Sequence, residues 1–209
     1  MRTVLSKAAP VGLCLAVVLA VSARAAEEKK QLEIGKPAPA LKLPGVDGKQ
    51  VDTDELLQAK KKKALVVVWM ANHCPVAVAY QDRLIQLQKD YEDKGVQIIA
   101  VSSTDASQYD SDSFENMKKR AKEKGYNFPF VYDESQDVAR AFRATCTPHV
   151  FVINQEGNLV YRGAVDDSQN PKKATKHYTR DALDATLGGK PVETAETPQF
   201  GCSIKWKKK

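Results

Sequence analysis

The chain has 209 residues, 43% of them hydrophobic and 28% charged, with a formal net charge of +6. Residues 1–25 carry Arg2, Lys7 and Arg24 and no acid, so those three charges leave +3 on the rest, too mild a balance to argue for a nucleic-acid partner. The 184 residues that follow (209 less 25) suit one domain with a full core, so cysteines are not needed to staple a miniature scaffold.

Arg2 and Lys7 precede an apolar run over 11–21 that is too short to span a bilayer, and Ala23-Arg24-Ala25 is a small-x-small site. This pattern predicts a signal peptide over 1–25, cleaved before Ala26, and hence a periplasmic or secreted protein with no stable membrane span. Leu13 lies beside Cys14 where a lipoprotein signal needs a small residue, so Cys14 is expected to leave with the leader. Three cysteines then remain, an odd number for an exported domain. They suit one disulfide plus an exchangeable thiol, or three thiols sharing a redox or metal task.

Residues 26–33 form a polar linker, and 34–48 alternate apolar residues with turn formers, which predicts an extended lead-in and a hairpin. A short helical turn is expected within 51–57, and the lysines at 60–63 suit a solvated turn. Residues 65–69 are apolar throughout and rich in valine, as in a strand buried on both faces. Val76, Tyr80, Leu84, Leu87 and Tyr91 recur every three or four residues and predict an amphipathic helix stopped at Gly95. Then come a strand over 96–101, a helix over 113–124, a strand over 128–131 and a short helix over 134–142. A hairpin pairs 150–153 with 159–161, and a helix over 178–187 ends at Gly188-Gly189. This order gives an α/β domain over 34–189 with a central mixed sheet flanked by helices. The tail, 190–209, shows no clear periodicity.

Asn72-His73-Cys74-Pro75 lies between the buried strand and the first long helix. A thiol at that turn meets the unpaired N–H groups and positive dipole end of the helix, which favour the thiolate, and proline suits the first helical position. Downstream, Thr145-Cys146-Thr147-Pro148 runs directly into the next strand, and a proline there is commonly held in a tight turn.

Those two motifs, with Trp69 ending the first central strand, resemble the thioredoxin fold. More specifically, residues 32–163 resemble the redoxin group (alkyl hydroperoxide reductase and thiol-specific antioxidant-like), in particular its peroxiredoxin-like branch. The stretch Asp133-Glu134-Ser135-Gln136-Asp137-Val138-Ala139 and the tail motif Gly201-Cys202-Ser203-Ile204-Lys205-Trp206 also carry the likeness. The resemblance implies a cis Thr147-Pro148 bond lying against Cys74, Cys146 close by, and thiol chemistry without a cofactor. Two departures bear on which chemistry. Thioredoxins have a second cysteine where this chain has Ala77, and peroxiredoxins have a threonine where it has Ala71. Cys74 also aligns with the first cysteine of the thioredoxin pattern, whereas the peroxide-reacting cysteine corresponds to the second. Thiol-disulfide exchange is therefore favoured over peroxide reduction, with disulfide or thiol substrates and a thiol reductant or oxidant as partners.

Exchange needs a second thiol from elsewhere in the chain. Cys146, beside the proline turn, is the preferred candidate, and Cys202 could reach back from the tail. An alternative of another class is a copper- or zinc-binding or partner-binding module built on Cys74, Cys146 and either His73 or His149. Otherwise His73 flanks the helix start and tunes Cys74, while His149 is expected to face solvent. Trp69 could line the active surface or pack in the core, and Asp110, Asp112 and Glu115 suit helix capping.

Overall fold

A computed structural model describes residues 32–58 and 62–208; the leader, most of the linker and part of the lysine run lie outside the described residues. Strands β1 (Lys42–Pro44) and β2 (Gln50–Asp52) form an antiparallel hairpin, and helix α1 (Thr53–Gln58) follows directly. The expected helical turn over 51–57 thus shares its start with a strand, because Val51 pairs with Leu43 and buries beside it.

The central sheet has the order β5-β4-β3-β7-β8. Strand β3 (Ala64–Trp69) lies parallel to β4 (Val96–Ser102), which lies parallel to β5 (Phe130–Tyr132). On its other side β3 pairs antiparallel with β7 (His149–Asn154), and β7 with β8 (Leu159–Gly163). All six residues of β3 are buried. Their alternation supplies both cores: Val66 and Val68 point to one face, and Leu65, Val67 and Trp69 to the other. Each such side chain removed from water contributes roughly 1.5–3 kcal/mol before the entropy of ordering is subtracted.

Helix α2 (Pro75–Tyr91) lays Tyr80, Leu84, Leu87 and Tyr91 on the first face, as their spacing predicts. Met117 of α3 (Phe114–Lys124) and Leu183 of α5 (Tyr178–Leu187) complete that core. On the second face, Phe142 of α4 (Asp137–Phe142) meets the Trp69 ring at 5.1 Å and the Phe151 ring at 5.3 Å.

The segment beyond α5 is packed on the domain rather than free of it. Thr197 bonds Ala164, and a two-residue strand β9 (Cys202–Ser203) pairs antiparallel with β6 (Cys146–Thr147). Two glycines permit this. A Cβ on Gly163 would lie 2.1 Å from Thr197 Oγ1, and one on Gly201 would lie 2.0 Å from the Thr147 carbonyl oxygen.

Candidate active site

Cys74 is the residue that caps α2. Its backbone is extended (φ −85°, ψ 111°), Pro75 takes the first helical position, and the Ala77 amide points at Sγ from 3.4 Å. Ala77 stands where thioredoxins have their second cysteine, so at that position this chain offers the sulfur a main-chain donor alone. Across the cleft, Thr147-Pro148 is cis, as expected, and the neutral Cys74 thiol donates to the Thr147 carbonyl at 3.0 Å.

The tail brings the third participant. Strand β9 sets Cys202 opposite Thr147, which brings the tail cysteine close enough to Cys74 to influence its ionisation. Burial alone would push the Cys74 thiol up. Hydrogen bonds from the Cys202 thiol, the Thr147 side chain and the amides of Ala77 and Cys202 outweigh it and hold Cys74 below the ordinary thiol range. Cys202 moves the opposite way, pushed up to about 11 by burial and by its bond to Cys74 and that sulfur's charge. The pair is polarised: Cys74 ionises more readily than an ordinary thiol and Cys202 less readily.

Cys146 lies within electrostatic reach of Cys74, but its thiol bonds elsewhere. Its main chain pairs with Ser203, its thiol turns to the Pro148 carbonyl at 3.5 Å, and burial pushes it up to about 11. Neighbouring residues of an extended strand project to opposite sides, and Thr147 holds the side facing Cys202. The sequence reading preferred Cys146 because it is adjacent to the proline turn, but adjacency along a strand puts a side chain on the wrong face. All three cysteines are free thiols here.

His73 is held by a carboxylate that the sequence reading had assigned to capping. Buried Asp112 accepts from the main-chain N–H groups of Asn72 and His73 and sits 2.7 Å from His73 Nδ1. Tyr109 stacks on the imidazole at 4.0 Å, and Nε2 is buried without a partner among the described residues. Asp112 therefore fixes the loop that presents Cys74. A lone Asp 38 residues away carries no sequence signal for this.

His149 is buried, not solvent-facing. It accepts from the Thr145 N–H at 3.4 Å, stacks near Phe151 at 4.4 Å, and burial lowers it to about 4. Its register partner is Trp69, so both lie on the face opposite Cys74. Trp69 is likewise a core residue, fully buried with its indole donating to Ser103 Oγ at 3.0 Å, and it does not line the cysteine site. With His73 bound to Asp112 and His149 on the far face, the Cys74, Cys146 and histidine metal set does not assemble. No group of three His, Cys, Asp or Glu side chains among the described residues is placed to hold an ion.

A mixed sheet in the order β5-β4-β3-β7-β8, with a cis-proline turn facing a cysteine at the start of the first long helix, defines the thioredoxin fold. The redoxin family model matches residues 33–179, more than half of the sequence. The chain belongs to the redoxin family. An uncharacterized conserved protein from Geobacillus kaustophilus is 44% identical, with a TM-score of 0.79 over 86% of this chain and 95% of that one. A hypothetical protein from Sinorhizobium meliloti 1021 is 35% identical with the same TM-score, over 86% and 98%. The thiol-disulfide oxidoreductase ResA of Bacillus thuringiensis (strain Al Hakam) is 26% identical over 64% of this chain and 70% of its own length.

Proposed function

We propose that this protein is an exported thiol-disulfide oxidoreductase in which Cys74 is the nucleophile and Cys202 the resolving thiol. One observation carries the reading: the pairing of β9 with the cis-proline turn brings Cys202 close to a Cys74 sulfur whose ionisation is favoured by the donors around it. Similarity to ResA supports the same class of chemistry. Export rests on the signal-like pattern of residues 1–25, and no described helix is long and apolar enough to cross a membrane.

In the forward direction the Cys74 thiolate attacks a substrate disulfide in line. The substrate S–S bond breaks, a Cys74–substrate disulfide forms, and the departing thiolate takes up a proton. Cys74 has then lost its negative charge, which removes one of the influences that raise Cys202. Cys202 ionises more readily at that moment, attacks the Cys74 sulfur and expels the second substrate thiol. The substrate gains two electrons, the protein keeps a Cys74–Cys202 disulfide, and an external dithiol restores it. Run backwards, the same steps oxidise a dithiol.

Ala71 is buried and brings no hydroxyl to the site, which supports disulfide over peroxide as substrate. The test is mass spectrometry of the Cys202→Ser protein after exposure to a small disulfide. The expected product is a stable mixed disulfide on Cys74, while the wild type reaches a Cys74–Cys202 bond. A Cys74–Cys146 bond in the wild type, or unaltered turnover in Cys202→Ser, refutes the assignment.

A further inference from the structure

Gln136 stands out from its surroundings on two independent counts. It is 1% exposed, and its backbone sits at φ 65°, the left-handed region that side chains other than Asn, Asp and His seldom enter. Such a conformation persists where surrounding contacts over-determine it. The main chain makes its share of those contacts, its N–H donating to the Asp133 carbonyl and its carbonyl accepting from the Arg140 N–H, each at 3.1 Å, and the side chain makes the rest. Nε2 donates to the Ser103 carbonyl at 2.7 Å and to the Lys205 carbonyl at 2.9 Å, and Oε1 accepts from the Lys207 N–H at 2.9 Å. Both amide hydrogens are used, one on Ser103 just past β4 and one on the Lys205 carbonyl, which also accepts from the Asp105 N–H at 2.9 Å.

The two tail bonds flank Trp206, so the amide takes the place of a neighbouring strand for the main chain between 205 and 207. The Trp206 ring lies over the Arg140 guanidinium at 4.4 Å, one turn along the helix that Gln136 begins. Between this clasp and Cys202 lie only Ser203 and buried Ile204, whose N–H donates to the Thr145 carbonyl at 3.2 Å. A fixed point at Lys205 therefore leaves Cys202 little freedom to leave Cys74.

We infer that Gln136 is the positioning residue for the resolving step, a buried clasp that sets the effective concentration of Cys202 at Cys74. The inference rests on the proposed Cys74–Cys202 chemistry and adds the residue that controls it. Effective concentration depends on how tightly the connecting chain is held, so loosening the clasp weakens the internal disulfide more than it slows the first attack.

The full-length protein is equilibrated with reduced and oxidised glutathione, and mass spectrometry reads the ratio of Cys74–Cys202 disulfide to Cys74–glutathione mixed disulfide. Gln136→Gly keeps the left-handed turn free of strain and deletes the amide; the ratio should fall by about tenfold or more. Cys74 should still alkylate, because its helix and cis-proline contacts are intact, and should slow at neutral pH by much less than the ratio falls, to the extent that the Cys202 donors are lost. Gln136→Glu is the second variant. It keeps the acceptor for Lys207 but turns a carboxylate toward two carbonyls, so its ratio should be low near about pH 8 and recover toward about pH 5, where the neutral acid donates again. A wild type that forms no Cys74–Cys202 bond refutes the functional reading itself. A wild type that forms it, with both variants within about twofold of its ratio, overturns the role of Gln136. So does a Gln136→Glu ratio that stays low at every pH, because a general loss of structure gives that result.

Discussion

Cys74 is held by a fully buried six-residue strand and a 17-residue helix, whereas Cys202, its partner in contact, is held by a two-residue ladder within otherwise irregular chain. The first position follows from burial: β3 and α2 share a core, so Cys74 cannot move without opening it. The second follows from a few specific contacts, among them Gly201 against the Thr147 carbonyl, the burial of Ile204, the Gln136 amide at Lys205 and Lys207, and bonds from Asp105 and Gln108 to the Lys205 and Trp206 carbonyls. Segments with few buried apolar contacts open at lower free energy than the core. A fixed nucleophile beside a releasable partner suits exchange chemistry, in which a substrate must reach Cys74 before Cys202 closes on it.

The sharpest way to break this pairing is Gly201→Ala. A methyl group there meets the Thr147 carbonyl oxygen at 2.0 Å and its carbon at 2.8 Å, on a backbone with φ 152°. Both obstacles are main chain and cannot swing aside, so β9 must leave the cis-proline turn. Turnover should fall by about 10- to 100-fold, with Cys74 caught as a mixed disulfide and still alkylating, though more slowly at neutral pH because the Cys202 donors that favour its ionisation are gone. Loss of Cys74 reactivity in step with turnover would show that tail and framework are one unit after all.

The same contrast explains what could be read from the sequence. Both central cores and the long helix that begins at Pro75 follow from hydrophobic periodicity and local turn chemistry, while the cis turn is implied by the family resemblance. Asp112 under His73, Gln136 under the tail and the burial of His149 depend on side chains meeting from distant parts of the chain. Periodicity carries none of that. One tail signal was available: Cys202, Ile204 and Trp206 alternate with Ser203, Lys205 and Lys207 after a glycine, the period of an extended segment with one side on the protein. A six-residue alternation at the end of a polar stretch is a weak signal, whereas the preference for Cys146 rests on its place beside the proline turn.

The framework has a weak point of its own, and acid should find it. His149 titrates at about 4 in the folded protein against 6.5 for an ordinary histidine, because burial disfavours its charged form. Below 6.5 the unfolded chain binds a proton that the folded one refuses, so stability falls with pH from there until about 4, where both states are charged. The full loss across that window is about 3 kcal/mol. His149→Gln keeps an acceptor for Thr145 and should flatten this part of the curve in denaturant titrations at stepped pH. An unchanged slope would mean that another group controls acid unfolding. Tail release on acidification, read by Cys202 alkylation, should follow the same window, since Thr145 bonds both His149 and Ile204.

The smallest effect is expected from the cysteine that adjacency favoured. Cys146 lies one residue from Thr147 but belongs to the other side of β6, and its own bond runs back to Pro148 rather than across to Cys74. Its thiol is pushed up to about 11 by burial, so at neutral pH it offers almost no thiolate to any disulfide. Cys146→Ala removes one small buried atom and a weak sulfur bond, a change that should cost on the order of 1 kcal/mol of stability. Turnover, the Cys74–Cys202 bond and the Cys74 alkylation rate should each stay within about twofold. Placed in the Cys202→Ser background, the substitution should also leave the trapped mixed disulfide as long-lived as before. If the mixed disulfide lasts much longer in the double variant, Cys146 was resolving it in the absence of Cys202. The tail would then be the faster of two routes, and strand direction alone would not decide which thiol reaches Cys74.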